Sequence, residues 1–209
     1  MSEPTESPSP TVDVAFALRG ACLPRDHACA MAAVLTAQLP WLRDDRDCGV
    51  HRVKVVAGNG PSALLSRRAR LILRVPRQRV AELLPLEGAT LDVAGCRLQL
   101  GSPVVHELLP HSTLYAPVVA CAQADERLFL ESVNDELRSL GVHGRPICGR
   151  ASRMQGDGAA IDGFSLMLDG LSPHASLRLQ ERGLGPHRVM GCGVFVPHRS
   201  AAALHGSLA

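Results

Sequence analysis

Residues 183–193 read Gly-Leu-Gly-Pro-His-Arg-Val-Met-Gly-Cys-Gly, two Gly-x-Gly steps around five residues, and lead directly into the apolar run Val194, Phe195, Val196. Four glycines in eleven residues describe a loop that uses backbone conformations closed to other residues. Its amides can approach a ligand closely, a phosphate chain above all. The flanking pattern narrows the choice. A Walker loop needs Gly-Lys-Ser/Thr and then a helix, and a dinucleotide fingerprint needs a strand before it and a helix after it. Here a helical pattern over 173–182 precedes the loop and a strand follows, which is the reverse order. The plain alternative is a glycine-rich hairpin that only turns the chain.

With 209 residues and 46% hydrophobic content, the chain can bury one large core or two small ones. Residues 1–11 hold Ser, Pro, Glu and Thr without an apolar run and read as a disordered leader, not a signal peptide. No apolar stretch approaches the roughly 20 residues of a membrane span, so no membrane association is expected. The seven cysteines are an odd number, scattered, with no Cys-x-x-Cys pair, as suits reduced thiols in a cytoplasmic protein. Cys and His do not cluster at the spacing zinc needs, so neither a metal nor another cofactor is expected.

The net charge of +2 by itself predicts no polyanion partner, and its distribution matters more. Lys54 is the single lysine beside 21 arginines, whose planar forks fit phosphate. Six of them, Arg67, Arg68, Arg70, Arg74, Arg77 and Arg79, fall in a stretch without one acid. Either a solvated surface or a phosphate-binding one would carry such a cluster.

Hydrophobic periodicity gives one order of elements twice. In the first half these are a strand over 12–18, a helix over 26–39 capped by Asp26, strands over 51–56 and 70–75 with a turn at 58–61 between them, a short helix over 76–84, and a closing strand or hairpin over 90–100. In the second half, strand segments over 104–108 and 114–120 precede a helix over 125–140 and strands near 145–150 and 163–168. A helix over 173–182 follows, with Ser172 as N-cap and Pro173 in its first turn, and then a last strand over 193–196. The expected fold is α+β, two tandem ferredoxin-like (βαββαβ, RRM-like) domains over 12–102 and 103–200, with the glycine-rich loop in the second and a tail over 201–209. The six aromatics sit mostly in core patterns, Tyr115 among them, so stacking of bases on a sheet explains little. Arginine contact with an RNA backbone explains more.

The tandem halves and the glycine motif, with Asp162-Gly163-Phe164-Ser165-Leu166 and Leu177-Arg178-Leu179-Gln180 before it and Val194-Phe195-Val196-Pro197-His198 after it, resemble the CRISPR-associated repeat-processing endoribonucleases of the RAMP superfamily. The likeness runs from about residue 12 to 200 and is to the myxobacterial-type subgroup. It implies cleavage of precursor CRISPR RNA within the repeat without metal, by attack of a ribose 2′-hydroxyl that leaves a 2′,3′-cyclic phosphate and a 5′-hydroxyl. It also implies CRISPR repeat RNA, as a hairpin or a single strand, and other interference-complex subunits as partners.

Such chemistry needs proton transfer near neutrality, which histidine supplies. His27 is the first candidate, at the start of the first helix, a region where the resemblance places a catalytic histidine. The positive helix end disfavours imidazolium while Asp26 favours it, so the direction of its pKa is open. His51, at the mouth of the second strand, is the second candidate. For RNA contact the candidates are Ser66, Arg67, Arg68 and Arg70 in the basic loop, and Gly183, Gly185, His187, Arg188, Gly191 and Gly193 in the glycine loop. A RAMP subunit that binds guide RNA without cutting it, or an unrelated ferredoxin-like enzyme acting on a small molecule, are the competing readings.

Overall fold

A computed structural model describes residues 8–56 and 60–198. The leader up to residue 7, residues 58–59 of the expected turn, and the chain from 199 on, with the expected tail, lie outside the described residues. The first half comprises β1 (Thr11–Arg19), β2 (Cys22–Pro24), α1 (Ala28–Gln38), β3 (Gly49–Val50), β4 (Ser62–Leu64), β5 (Arg70–Pro76), β6 (Thr90–Val93) and β7 (Cys96–Glu107). The second comprises β8 (Thr113–Cys121), α2 (Glu126–Ser139), β9 (Arg145–Gln155), β10 (Ala160–Asp169), α3 (Pro173–Arg182) and β11 (Val196–Pro197). No helix among the described residues is long and apolar enough to cross a membrane.

Two antiparallel sheets result, ordered β3-β5-β1-β7-β6 and β11-β8-β10-β9. In each, the first strand lies between the third and the last, the ferredoxin-like order, with β6 added at one edge of the first sheet. Alternation decides which strand face meets the helices. Val12, Val14, Phe16 and Leu18 of β1 join Leu71, Leu73 and Val75 of β5 against Met31 and Leu35 of α1. In the second half, Phe129, Val133 and Leu137 repeat every fourth residue along α2 and pack on Leu166 and Leu168 of β10. Local chemistry sets the ends of α2 and α3. The Asp125 carboxylate accepts from the Leu128 amide (2.9 Å) and the Ser172 hydroxyl from the Ala175 amide (3.3 Å).

Several sequence expectations change. The strand over 51–56 is absent, because only Gly49–Val50 pair with β5 before the chain turns away. The short helix is a 3₁₀ stretch over Arg77–Leu86, with Pro85 inside it. Residues 104–107 do not open the second half. They continue β7 and pair with β1, Val12 opposite Glu107, so the expected division at 102/103 cuts a strand of the first sheet. The last strand is confined to Val196–Pro197, since the residues before it are held by the glycine loop. Asp26 does not cap α1: His27 is the N-cap residue, and the Asp26 carboxylate accepts from the Gln155 amide of β9 (2.7 Å).

Candidate active site

Cys22–Pro24 and Ser62–Leu64 pair as a small ribbon that delivers the chain to the start of α1. His27 emerges there only 3% exposed. Its Nδ1 lies 2.9 Å from the Pro24 carbonyl, an acceptor, so Nδ1 carries the proton and Nε2 the lone pair. Nε2 is buried and has no hydrogen-bond partner among the described residues. Burial is the main cause that pushes the His27 pKa below its ordinary value. Hydrogen bonding with Pro24 opposes this, the Arg52 charge adds to it, and Asp26 opposes it weakly. Burial thus favours the neutral form of His27, in which Nε2 carries the lone pair.

Four segments meet around it. Ala28, next to His27, packs with Val118 of β8, Met154 of β9 and Cys192 of the glycine loop. Asp26 holds the end of β9 through Gln155, and Arg52 runs beside Gly191, where a Cβ would come within 2.7 Å of its Cγ. The structure therefore brings His27 and the glycine loop together.

The loop itself is a knot of internal contacts. Gly183 (φ 63°) and Gly193 (φ 63°) press backbone against backbone: a Cβ on the first would strike the Gly193 carbonyl, and a Cβ on the second would overlap the Leu184 carbonyl. The amides expected to cradle phosphate are committed within the protein. Gly183 donates to the Leu179 carbonyl, Gly191 to that of Arg188, and Gly193 to that of Val118 (2.7 Å). Gly185 donates to both oxygens of the Glu136 carboxylate (2.9 and 3.0 Å), so a carboxylate occupies the place expected for phosphate. Arg188 is corrected as well. Its guanidinium points inward and donates to the carbonyls of Arg46 (3.0 Å), Glu181 (2.9 Å) and Arg182. Burial brings its pKa down to about 10. It pins the loop to both halves through Nη1, while its Nε and Nη2 are buried with no hydrogen-bond partner among the described residues. His187 alone of the loop candidates presents an exposed side chain, from a left-handed backbone at φ 65°.

His51 is held in a different polar cluster from the surroundings of His27. Its Nε2 lies 3.1 Å from Asp13 Oδ1, and the same carboxylate takes two bonds from Arg74, from Nε (2.8 Å) and from a terminal nitrogen (2.9 Å). The other terminal nitrogen of Arg74 donates to the carbonyls of Gln180 (3.0 Å) and Phe195 (2.7 Å). This polar cluster joins the first sheet to the second half. Burial alone would push the Asp13 carboxyl up, but the bonds from His51 and Arg74 outweigh it and hold the group well below the carboxylate range. Burial pushes His51 down, against the pull of Asp13.

Of the six clustered arginines, Arg74 is buried, Arg77 pairs with Glu107 (2.5 Å) and Arg79 with Glu82 (2.9 Å). Arg67, Arg68 and Arg70 are exposed and have no acidic partner among the described residues. The Ser66 hydroxyl accepts from the Arg68 amide and so shapes the turn. The Leu65 amide bonds the Ala21 carbonyl (3.3 Å), which places this loop at the opposite end of the ribbon from His27. Between them only Cys22–Pro24 are extended before the chain turns at 25–26 and His27 folds back on Pro24, so about 10 Å of ribbon separates the basic loop from the start of α1. Tyr115, expected in the core, is half-buried and meets His198 at a tilt of 50°, with 5.4 Å between ring centres.

A groove of about 1480 Å³ between the halves borders the glycine loop, but His27 does not line it. Arg43, Arg46 and His187 there alternate with Asp45, Asp47 and Glu136, a mixture that presents no uniform positive field to a polyanion. No three His, Cys, Asp or Glu side chains converge as metal ligands among the described residues. Arg52 and the Asp13–Arg74 pair escape a reading of the sequence, although each charge of the pair interrupts an apolar strand. That interruption is the signal that could have marked a buried ion pair.

The sequence profile of the family described as Cas6 Crispr matches residues 12–200. The CRISPR-associated endonuclease Cas6 of Myxococcus xanthus (strain DK1622) is 40% identical over 201 residues, 95% of this chain and 87% of that protein. Among solved structures, a CRISPR associated protein Cas6 superposes with a TM-score of 0.65 at 10% identity, over 90% of this chain and 100% of that one. A protein from work on a Cas6-related gene of Pyrococcus furiosus gives 0.59 at 10% identity, over 89% and 98% of the two chains. At such low identity these two superpositions speak for the fold.

Proposed function

Because the chain belongs to the Cas6 family of CRISPR-associated proteins, we propose that it is an endoribonuclease that cuts precursor CRISPR RNA within the repeat, with His27 as general base. The single observation that carries the assignment is the Nε2 of His27: buried, bearing the lone pair and without a partner among the described residues. An unsatisfied buried polar atom costs about 1–3 kcal/mol, and such an atom in a folded protein calls for a role. A ribose 2′-hydroxyl donating to Nε2 supplies the missing partner. RNA docking must open the contacts that cover Nε2, since it has no solvent access in the free protein.

The O2′ proton moves to Nε2 while O2′ bonds to phosphorus and the P–O5′ bond breaks. The products are a 2′,3′-cyclic phosphate and a 5′-hydroxyl, whose oxygen takes its proton from solvent. The Nδ1–H bond to Pro24 holds the tautomer throughout. A positioned base of this kind contributes about 10²- to 10⁴-fold. Arg67, Arg68 and Arg70 hold the RNA backbone away from the cut, and His187 offers a further contact. The cleaved guide stays bound for delivery to the interference complex.

The test is cleavage of repeat RNA by the full chain in EDTA, beside the same RNA with a 2′-deoxy sugar at the cut and beside His27→Ala. The expected result is cleavage of the intact RNA alone, with the variant binding RNA but not cutting it. The deep burial of His27 favours a second reading, a RAMP subunit that binds guide RNA without cleaving it. In that case wild type and His27→Ala bind alike and neither cuts.

A further inference from the structure

Arg52 follows His51 in the irregular segment after β3, is half-buried, and makes no hydrogen bond or ion pair among the described residues. Its aliphatic stem passes Gly191 so closely that a Cβ there would stand 2.7 Å from Arg52 Cγ and 3.2 Å from the Val50 carbonyl. The next loop residue, Cys192, packs with Ala28, the residue after His27. The Arg52 charge is near enough to oppose protonation of the His27 ring. The neighbouring charges are already engaged. Arg25 donates to the carbonyls of Gly60 (2.6 Å) and Val56 (3.5 Å), and Asp26 accepts from the Gln155 amide. Arg52 is the one charged group beside the imidazole with nothing to bind among the described residues.

We propose that Arg52 is a catalytic residue: its guanidinium binds the nonbridging oxygens of the scissile phosphate, and residue 191 is glycine so that Arg52 can pass into that position. The role rests on the reading of the chain as a nuclease with His27 as base. As O2′ attacks, negative charge builds on the nonbridging oxygens, and a planar fork of donors matches them. Arg52 stays protonated and exchanges no atom in the step. The backbone of Gly191, at φ 83°, already favours glycine, and the close passage of Arg52 adds a second reason.

The experiment compares wild type with Arg52→Ala, Arg52→Lys, Gly191→Ala and His27→Ala. It measures single-turnover cleavage of repeat RNA, and the Kd for the same RNA with a 2′-deoxy sugar at the cut. Arg52→Ala is expected to bind within about threefold of wild type while its rate falls about 10²- to 10³-fold, the size of a lost charge-stabilising donor. Arg52→Lys keeps part of the rate, and millimolar guanidinium restores part of it to Arg52→Ala but not to His27→Ala. Gly191→Ala, where it folds, falls with Arg52→Ala; where it does not fold, the two Arg52 variants decide. Failure of wild type to cleave overturns the nuclease reading. Normal cleavage by Arg52→Ala beside an inactive His27→Ala overturns the role of Arg52 alone. So does an equal loss of binding and rate without guanidinium rescue, which makes Arg52 an ordinary RNA contact.

Discussion

Replacing Arg74 by Ala removes a side chain that is 0% exposed and makes four hydrogen bonds, two to Asp13 and one each to the Gln180 and Phe195 carbonyls. What remains is a carboxylate held only by His51 and two carbonyls without donors, at the place where the halves meet. Breaking a buried pair from one side costs about 3–5 kcal/mol, a large share of the roughly 5–15 kcal/mol that a folded domain has. With a urea dependence near 2 kcal/mol per molar, the unfolding midpoint should fall by about 2 M. The double replacement Asp13→Leu with Arg74→Met removes both charges and should recover part of that loss, because no carboxylate is left buried alone although the Gln180 and Phe195 carbonyls still lack their donor. Asp13 adds a pH signature. Its folded-state pKa is depressed, so the unfolded chain binds the extra proton. The stability this contributes is complete above its unfolded value of about 4 and is lost as pH falls through the carboxylate range. Arg74→Ala should flatten that acid limb. Urea titrations followed by circular dichroism at several pH values measure both effects. A midpoint within about 0.5 M of wild type, or a double variant no better than the single one, refutes the account of the cluster as the joint between the halves.

Three further outcomes are expected. Burial holds the His27 pKa of the free protein below its ordinary 6.5, so an NMR titration of the His27 ring without RNA should show a midpoint below 6.5, and a midpoint above it contradicts this. Gly193→Ala forces a Cβ onto the Leu184 carbonyl at a positive φ, so it should lower the thermal midpoint by more than the loss of about 1 kcal/mol ordinary for such a backbone, whereas Gly158→Ala, with open space around it, should lose only the backbone cost. Removing the charges of Arg67 and Arg68 together should weaken repeat binding and reduce the slope of log K against log salt by about 0.7 for each phosphate that is no longer neutralised on single-stranded RNA; an unchanged slope removes the basic loop from the interface.

Helix starts at Asp125 and Ser172 could be read from the chain because a cap acts on an amide three residues away. The repeated ferredoxin-like order was readable for a similar reason: alternation in β1 and β5 and the fourfold spacing along α2 are local patterns. The same reading failed over 51–56, where the pattern of a strand is present but the ladder with β5 ends at Val50. It failed again at 104–107, since turn-like residues before Val104 suggested a break and only the pairing with β1 shows a continuous strand.

His27 as a candidate came from its place at a helix start, a property of neighbours along the chain. That its Nε2 is free while that of His51 is taken is a different kind of fact. His51 meets an acid 38 residues away and that acid meets an arginine 61 residues away. Composition and periodicity say how each segment folds, because their forces act within a turn or a strand pair. Which charge lies beside which imidazole depends on how two sheets and a loop pack, and that arrangement leaves Arg52 beside His27, turns Arg188 inward, and sets Glu136 where phosphate was expected.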